Sequence, residues 1–307
     1  MSFLAVEIQH WMACGVIALL MMLAFFAGLR VSRGQHQRKP LLLICSLLFS
    51  LLFAVGLGSH LAWFSIIPST ATLALGNWLP VFLCFCAGIA CTAGYLGKLF
   101  RGSTAVSLVT LALVSLMSPM LRPVLSPIHL SADARWINGV CLQSHSSSCG
   151  PAAIATLLYQ TESARGQSSL GRVGSELLND QAGCERVLAR ACLTSEYGTL
   201  PQGLLGGLRW AVGDSALDAY AADREPTRWP AKQQLPNVAI VRFASADWRS
   251  SKPFFIGQAD EYHAIVVHRQ LPDGRWIIAD PAVGWVVWDD EMFRRRFTGN
   301  AIYLKPR

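Results

Sequence analysis

Four apolar stretches in the first 125 residues constrain this chain more than any other feature. They run approximately 10–29, 41–63, 78–96 and 104–121. Each is close to the ~20 residues that a helix needs to cross the hydrocarbon core of a bilayer. A helix on the surface of a soluble domain carries a polar face, and these carry almost none. The stretches therefore predict an all-α transmembrane domain of four helices over 1–125, with a different kind of domain after it. No Lys or Arg precedes the first stretch. It lacks the basic leading region of a cleaved signal peptide and is expected to stay attached.

The formal charge of +7 is unevenly spread. Residues 1–125 hold seven Lys/Arg and a single acid, Glu7, whereas 126–307 hold nineteen Lys/Arg and eighteen Asp/Glu. The excess lies in short loops between apolar stretches. That is the mark of membrane topology and speaks against a nucleic-acid partner. The first loop holds Arg30, Arg33, Arg38 and Lys39, the second (about Ser65 to Asn77) has no charge, and the third holds Lys98 and Arg101. The positive-inside rule puts the first and third loops in the cytoplasm. Both ends of the chain are then outside, on the periplasmic side of a bacterial inner membrane. Arg122 and Arg135, soon after the fourth stretch, work against this orientation.

Pro119, Pro123 and Pro127 make an exit and linker, and a second domain spans 132–307. Its early part reads as helices over Cys149–Gln160, Leu170–Asn179, Glu185–Cys192 and Pro201–Val212. Its later part reads as strands over Asn237–Phe243, His263–Arg269, Trp276–Ala279 and Trp285–Trp288, all rich in β-branched and aromatic residues. Pro272-Asp273-Gly274 has the chemistry of a hairpin turn. Asp289 can cap a short helix to Phe297, and Ala301–Tyr303 is a last strand. Helices first and an antiparallel sheet after them predict an α+β domain.

Four residues of this domain carry candidate chemistry. Cys149 is followed by Gly150-Pro151, which suits a helix start. A thiol there faces the positive end of the helix dipole, which favours the thiolate, the form that attacks. His263 heads a buried-looking strand and can serve as base. His145 lies in a Ser-rich loop, and His268 has the opposite strand parity to His263. Asp280 can accept an imidazole N–H and fix its tautomer. Gln143 can offer its side-chain amide to an oxyanion, beside the Cys149 N–H. Taken singly, each has an ordinary structural reading: a buried thiol, a core histidine, a turn aspartate before Pro281, a solvated glutamine.

Together these residues resemble the bacteriocin-processing, or double-glycine, cysteine peptidase family of the papain-like fold. The resemblance rests on Gln143 six residues before Cys149-Gly150, on His263-Ala-Ile-Val-Val, and on Asp280-Pro281-Ala282 with Gly284. The tail EMFRRRFTGNAIYL and the pair Gly198-Thr199 resemble further family elements. The likeness covers about 136–307 and implies a papain-like domain with Cys149 as nucleophile, His263 as base, Asp280 as its orienting partner and Gln143 as oxyanion donor. It implies hydrolysis of a peptide or protein precursor, with no cofactor and no metal. Two departures stand out. Ser148 occupies a place where the family often has Asp. No G-x-x-x-x-G-K-[ST] phosphate loop is present, and the apolar part precedes the peptidase domain, so coupling to ATP-driven export is not implied within this chain; any such partner would be a separate membrane protein. A non-catalytic peptide-binding module, or an acyl or amide transferase with the same triad, stays open from sequence.

The nine cysteines divide as the apolar residues do. Cys14, Cys45, Cys84, Cys86 and Cys91 lie in the apolar stretches. Cys141, Cys149, Cys184 and Cys192 lie in the second domain, without a C-x-x-C pair that would suggest zinc. Cys184 and Cys192 could form a disulfide in an oxidising compartment only if the helix between them bends, since a straight one holds them ~12 Å apart.

Overall fold

Apolar runs of this composition favour helices, and the first part of the chain is helical. The computed structural model describes residues 3–33, 38–67, 69–94, 97–165, 170–213, 215–223, 235–243 and 261–307. The chain divides into two units, Met1–Arg122 and Pro123–Arg307. The first is helical: α1 (Phe3–Arg33), α2 (Lys39–Val55), α3 (Leu61–Ser65), α4 (Thr72–Leu75), α5 (Leu79–Cys91) and α6 (Lys98–Leu125), the last running past the unit boundary. Among the described residues three stretches are long and apolar enough to cross a membrane: Ile8–Arg33, Thr72–Cys91 and Lys98–Leu125.

The second expected span differs. The stretch 41–63 is not one helix, because α2 stops at Val55. Gly56 leaves the helical region at φ −84°, ψ −99°, and a short 3-10 turn, Leu57–Ser59, follows before α3. Two glycines in three residues account for the break, since each costs a helix about 1 kcal/mol relative to Ala. The 17 residues of α2 reach roughly 25 Å at 1.5 Å per residue, short of a hydrocarbon core of about 30 Å. Part of the first basic loop, residues 34–37, lies outside the described residues.

Within this unit α1 and α5 touch backbone to backbone. A Cβ on Gly28 would sit 2.3 Å from the Phe85 carbonyl oxygen, and one on Gly88 would sit 2.1 Å from that of Phe25. Small residues that let two helices approach this closely are the usual device of helix pairing in lipid. The same seam is polar at one end. Thr92 Oγ1 donates to Ser32 Oγ, which itself donates to the Gly28 carbonyl at 2.7 Å.

The second unit places helices before a sheet, as the sequence predicts. A ribbon of β1 (Arg135–Ile137) and β2 (Val140–Leu142) leads into α7 (Cys149–Arg165), α8 (Gly171–Asn179), α9 (Gln181–Ala191) and α10 (Pro201–Ala211). The sheet follows: β3 (Leu217–Asp223), β4 (Asn237–Phe243), β5 (Glu261–Gln270), β6 (Trp276–Asp280), β7 (Gly284–Trp288) and, after α11 (Asp290–Arg296), β8 (Phe297–Pro306). Its order is β3-β8-β4-β5-β6-β7, and every pairing is antiparallel. β5 is therefore central and buried on both faces; Ala264, Ile265, Val266 and Val267 are all in the core. Residues Ile265 and Val267 join Ala239, Val241, Ile278, Trp276, Trp288, Phe293 and Phe297 in one cluster, while α7 packs against the same strand.

Several elements run longer than the sequence suggests, whereas α8 and α10 are each one residue shorter. α7 continues to Arg165 and α9 begins at Gln181, where the Asp180 side chain accepts the Gly183 N–H. β8 spans ten residues where only Ala301–Tyr303 is read from the sequence. α9 is an unbroken helix through Cys184, and Cys192 ends it. Both thiols are free, so the pairing considered from sequence does not form: the bend it requires is absent.

Candidate active site

The loop before Cys149 is built by its own side chains. Ser148 is fully buried; its hydroxyl donates to the His145 carbonyl at 2.8 Å and accepts the His145 N–H at 3.1 Å. His145 Nδ1 accepts the Ser147 N–H at 3.1 Å. The Ser148 carbonyl then accepts the Ala152 N–H at 3.1 Å and opens α7. The serine that departs from the family pattern thus closes this turn. Gly150 is needed for close approach: a Cβ there would sit 2.5 Å from Leu204 Cδ2 and 3.3 Å from Thr199 Cβ. Thr199 follows Gly198, whose φ of +94° lies in the region that favours glycine. Thr199 therefore packs against the first turn of α7.

Cys149 is the first residue of α7 and is partly exposed, unlike Cys141, Cys184 and Cys192, which are buried. His263 lies near the start of β5, paired with Val241 of β4. Its Nε2 is 2.7 Å from Asp280 Oδ1. The β5–β6 register, Val266 with Ala279, brings Asp280 alongside the head of β5. Asp280 Oδ1 also accepts the Ala282 N–H at 2.8 Å. Gly284, at φ +93°, completes the turn that returns the chain into β7. A side chain at that φ would be strained, which accounts for the glycine in the motif.

With Nε2 on Asp280, Nδ1 is the imidazole nitrogen left for a second partner. Burial alone pushes the Cys149 pKa up. The hydrogen bond and charge of His263, with the backbone N–H groups of Ala264 and Gly150, outweigh it and bring the thiol below its ordinary value. Burial likewise works against a charged His263, but hydrogen bonds to Asp280 and Cys149 raise it to about 10. Both shifts favour a thiolate beside an imidazolium over the neutral pair. The other thiols of the unit go the opposite way: burial, with Asp180 and Glu185 nearby, pushes Cys184 up to about 12, and burial raises Cys141 and Cys192 as well.

Gln143 follows β2, and its N–H donates to the Pro281 carbonyl at 2.8 Å. The loop before Cys149 is thereby tied to the residue after Asp280. The Gln143 side chain is half-buried, with its Oε1 unpartnered among the described residues. The two rival histidines are elsewhere engaged. His145 belongs to the serine turn, and His268 Nδ1 is 3.0 Å from Gln160 Oε1, with the His268 ring edge-on to Trp285. Among the described residues no cluster of three His, Cys, Asp or Glu is placed to hold a metal ion.

Sequence reasoning missed three contributions. The Ala264 and Gly150 N–H groups act through backbone, which carries no side-chain signal. Phe243 packs beside the His263 ring at 5.8 Å between centroids, a contact set by the β4–β5 register. Arg296 lies 4.5 Å over Phe243 and 5.0 Å over Trp288, braced from the far end of α11.

No protein-family model and no curated protein matches the chain. Among solved structures, it is similar to the double glycine motif protease from an AMS/PCAT transporter crystallised with the leader peptide, at 21% identity and TM-score 0.34 over 57% of this chain and 94% of that one. It is also similar to the peptidase domain of Streptococcus ComA, a bi-functional ABC transporter involved in a quorum-sensing pathway, at 17% identity and TM-score 0.36 over 54% of this chain and 96% of that one. The corresponding domain of Streptococcus mutans ComA matches at 18% identity and TM-score 0.31, over 57% of this chain and all of that one (100%). Likenesses at this level carry no argument about the residues of the site.

Proposed function

We propose that this chain is a membrane-anchored cysteine peptidase of papain-like type. The observation that carries the reading is the thiol of Cys149 at the start of α7, held below its ordinary pKa by His263, whose Nε2 lies 2.7 Å from Asp280 Oδ1. Cys149 attacks the carbonyl carbon of a peptide bond, and the developing oxyanion is met by the Cys149 N–H and the Gln143 amide. His263 gives its proton to the leaving amine, and the thioester remains on Cys149. His263, now neutral, takes a proton from water, which attacks the thioester and releases the acid and the thiolate. Asp280 keeps the imidazole in the required tautomer throughout. The substrate class is a peptide or protein precursor.

The three long apolar helices support an anchor in the membrane. The excess of Lys and Arg in the first and third loops supports a peptidase domain on the non-cytoplasmic side. The test of the catalytic reading is labelling of the full-length protein, in detergent, with a peptidyl acyloxymethyl ketone, followed by peptide mapping. The expected adduct is on Cys149. An adduct on Cys141, Cys184 or Cys192 instead, or none, would remove the assignment.

A further inference from the structure

Glu185 is the least expected side chain in the second unit. It lies in α9 and its carboxyl group is buried, the residue being 1% exposed. No ion pair to it is present among the described residues, and its Oε2 has no partner there. A buried carboxylate with one oxygen unsatisfied is costly, and such a group calls for an explanation beyond packing.

Its other oxygen supplies one. Oε1 accepts the Ser144 N–H at 2.9 Å. That N–H belongs to the peptide unit on the C-terminal side of Gln143. The peptide unit on the N-terminal side is held by the Gln143 N–H to the Pro281 carbonyl at 2.8 Å. Fixing both peptide planes fixes φ and ψ of Gln143, and with them the direction of its Cα–Cβ bond. One anchor is the turn that carries Asp280; the other is Glu185. An oxyanion donor works only if it is aimed before charge develops, and holding it is the task of groups behind the site.

We infer that Glu185 is a positioning residue: it accepts the Ser144 N–H and so aims the Gln143 amide at the oxyanion. This rests on the peptidase reading above. Two reactions of the full-length protein separate the roles. Alkylation of Cys149 by iodoacetamide displaces iodide and forms no oxyanion, so it reads the thiolate and His263 alone. Hydrolysis of the p-nitrophenyl ester of acetyl-Gly-Gly passes through a tetrahedral oxyanion.

Glu185→Leu is expected to leave the alkylation rate within about twofold and to lower kcat for the ester by about 10-fold or more, with KM little changed. Glu185→Gln, which keeps an acceptor at Oε1, is expected to restore kcat to within about threefold. In a Gln143→Ala background Glu185→Leu is expected to cost less than about twofold further, because the aimed group is gone. Equal losses in alkylation and ester turnover, or a full loss persisting without Gln143, would overturn the inference. Should Glu185→Leu not fold, Glu185→Asp withdraws the acceptor by one methylene and keeps the charge; wild-type kcat in that variant would overturn it too. Ester turnover that survives Cys149→Ala, or none in wild type despite fast alkylation, would instead sink the peptidase reading, and this inference with it.

Discussion

One oxygen of Asp280 serves two donors: Oδ1 lies 2.7 Å from His263 Nε2 and accepts the Ala282 N–H at 2.8 Å. The backbone of the turn therefore fixes the carboxylate oxygen that meets His263. Removing the charge while keeping the oxygen should separate orientation from electrostatics. Asp280→Asn is expected to retain measurable turnover, whereas Asp280→Ala should lower kcat/KM by about 10²-fold or more. Steady-state rates on one peptide substrate check both, and equal rates in the two variants would mean that orientation is not the contribution.

The pH profile follows from the ion pair. In the proposed mechanism the active form has Cys149 ionised and His263 protonated. Cys149 is held below its ordinary pKa and His263 is raised to about 10. Activity should rise on the acid side as the thiolate forms, below the ordinary thiol range, and fall on the alkaline side near that value as the imidazolium loses its proton. Asp280→Asn removes a hydrogen-bonded charge that raises His263, so its alkaline limb should move to lower pH. The measurement is kcat/KM against pH for wild type and variant; an unmoved alkaline limb would detach Asp280 from His263.

Thiol reactivity should be confined to one position of the second unit. Cys149 is lowered, while Cys184 is pushed up to about 12 and Cys141 and Cys192 are also raised by burial. Iodoacetamide at pH 6 should modify Cys149 well before the other three, as read by mass spectrometry of the digest. Faster modification of any of the three would remove Cys149 as nucleophile.

Substitution of the reacting groups should be non-additive. Cys149→Ala and His263→Ala are each expected to abolish peptide cleavage, with the double variant no worse than the worse single one. Gln143→Ala should lower turnover by roughly 10²–10³-fold. Unchanged turnover in the Gln143 variant would take that residue out of the site.

The orientation of the chain is open to a direct measurement. Alkaline phosphatase fused to the C-terminus should be active, and a cytoplasmic fluorescent protein in the same place should be dark, if both ends lie outside. Fluorescence without phosphatase activity would place the domain in the cytoplasm and reverse the charge argument.

Much of the second unit could be read from local chemistry. The start of α7 at Cys149 and the bounds of β4 follow from helix-start and β-branched signals strong enough to survive tertiary context. β3 was not legible: its sequence, LDAYAAD, is rich in Ala, and it becomes a strand by pairing along its full length with β8. The β1–β2 ribbon did carry a signal. Asn138-Gly139, both at positive φ (50° and 78°), form its turn, and an Asn-Gly pair is a strong hairpin signal. The break after Val55 was legible in Gly56 and Gly58 but was outweighed by the apolar residues around them. The place of Gln143 against Pro281, and of Ser144 against Glu185, depends on backbone groups from distant elements and has no counterpart in local pattern.

The seam between α1 and α5 bears on how the first unit is made. Ser32 and Thr92, which close its polar end, are 60 residues apart, with α2 synthesised between them. A chain inserted in order of synthesis therefore holds α1 with its Gly28 groove open until α5 has emerged, and the pair locks only then. This seam can therefore close only after the third apolar stretch has been made.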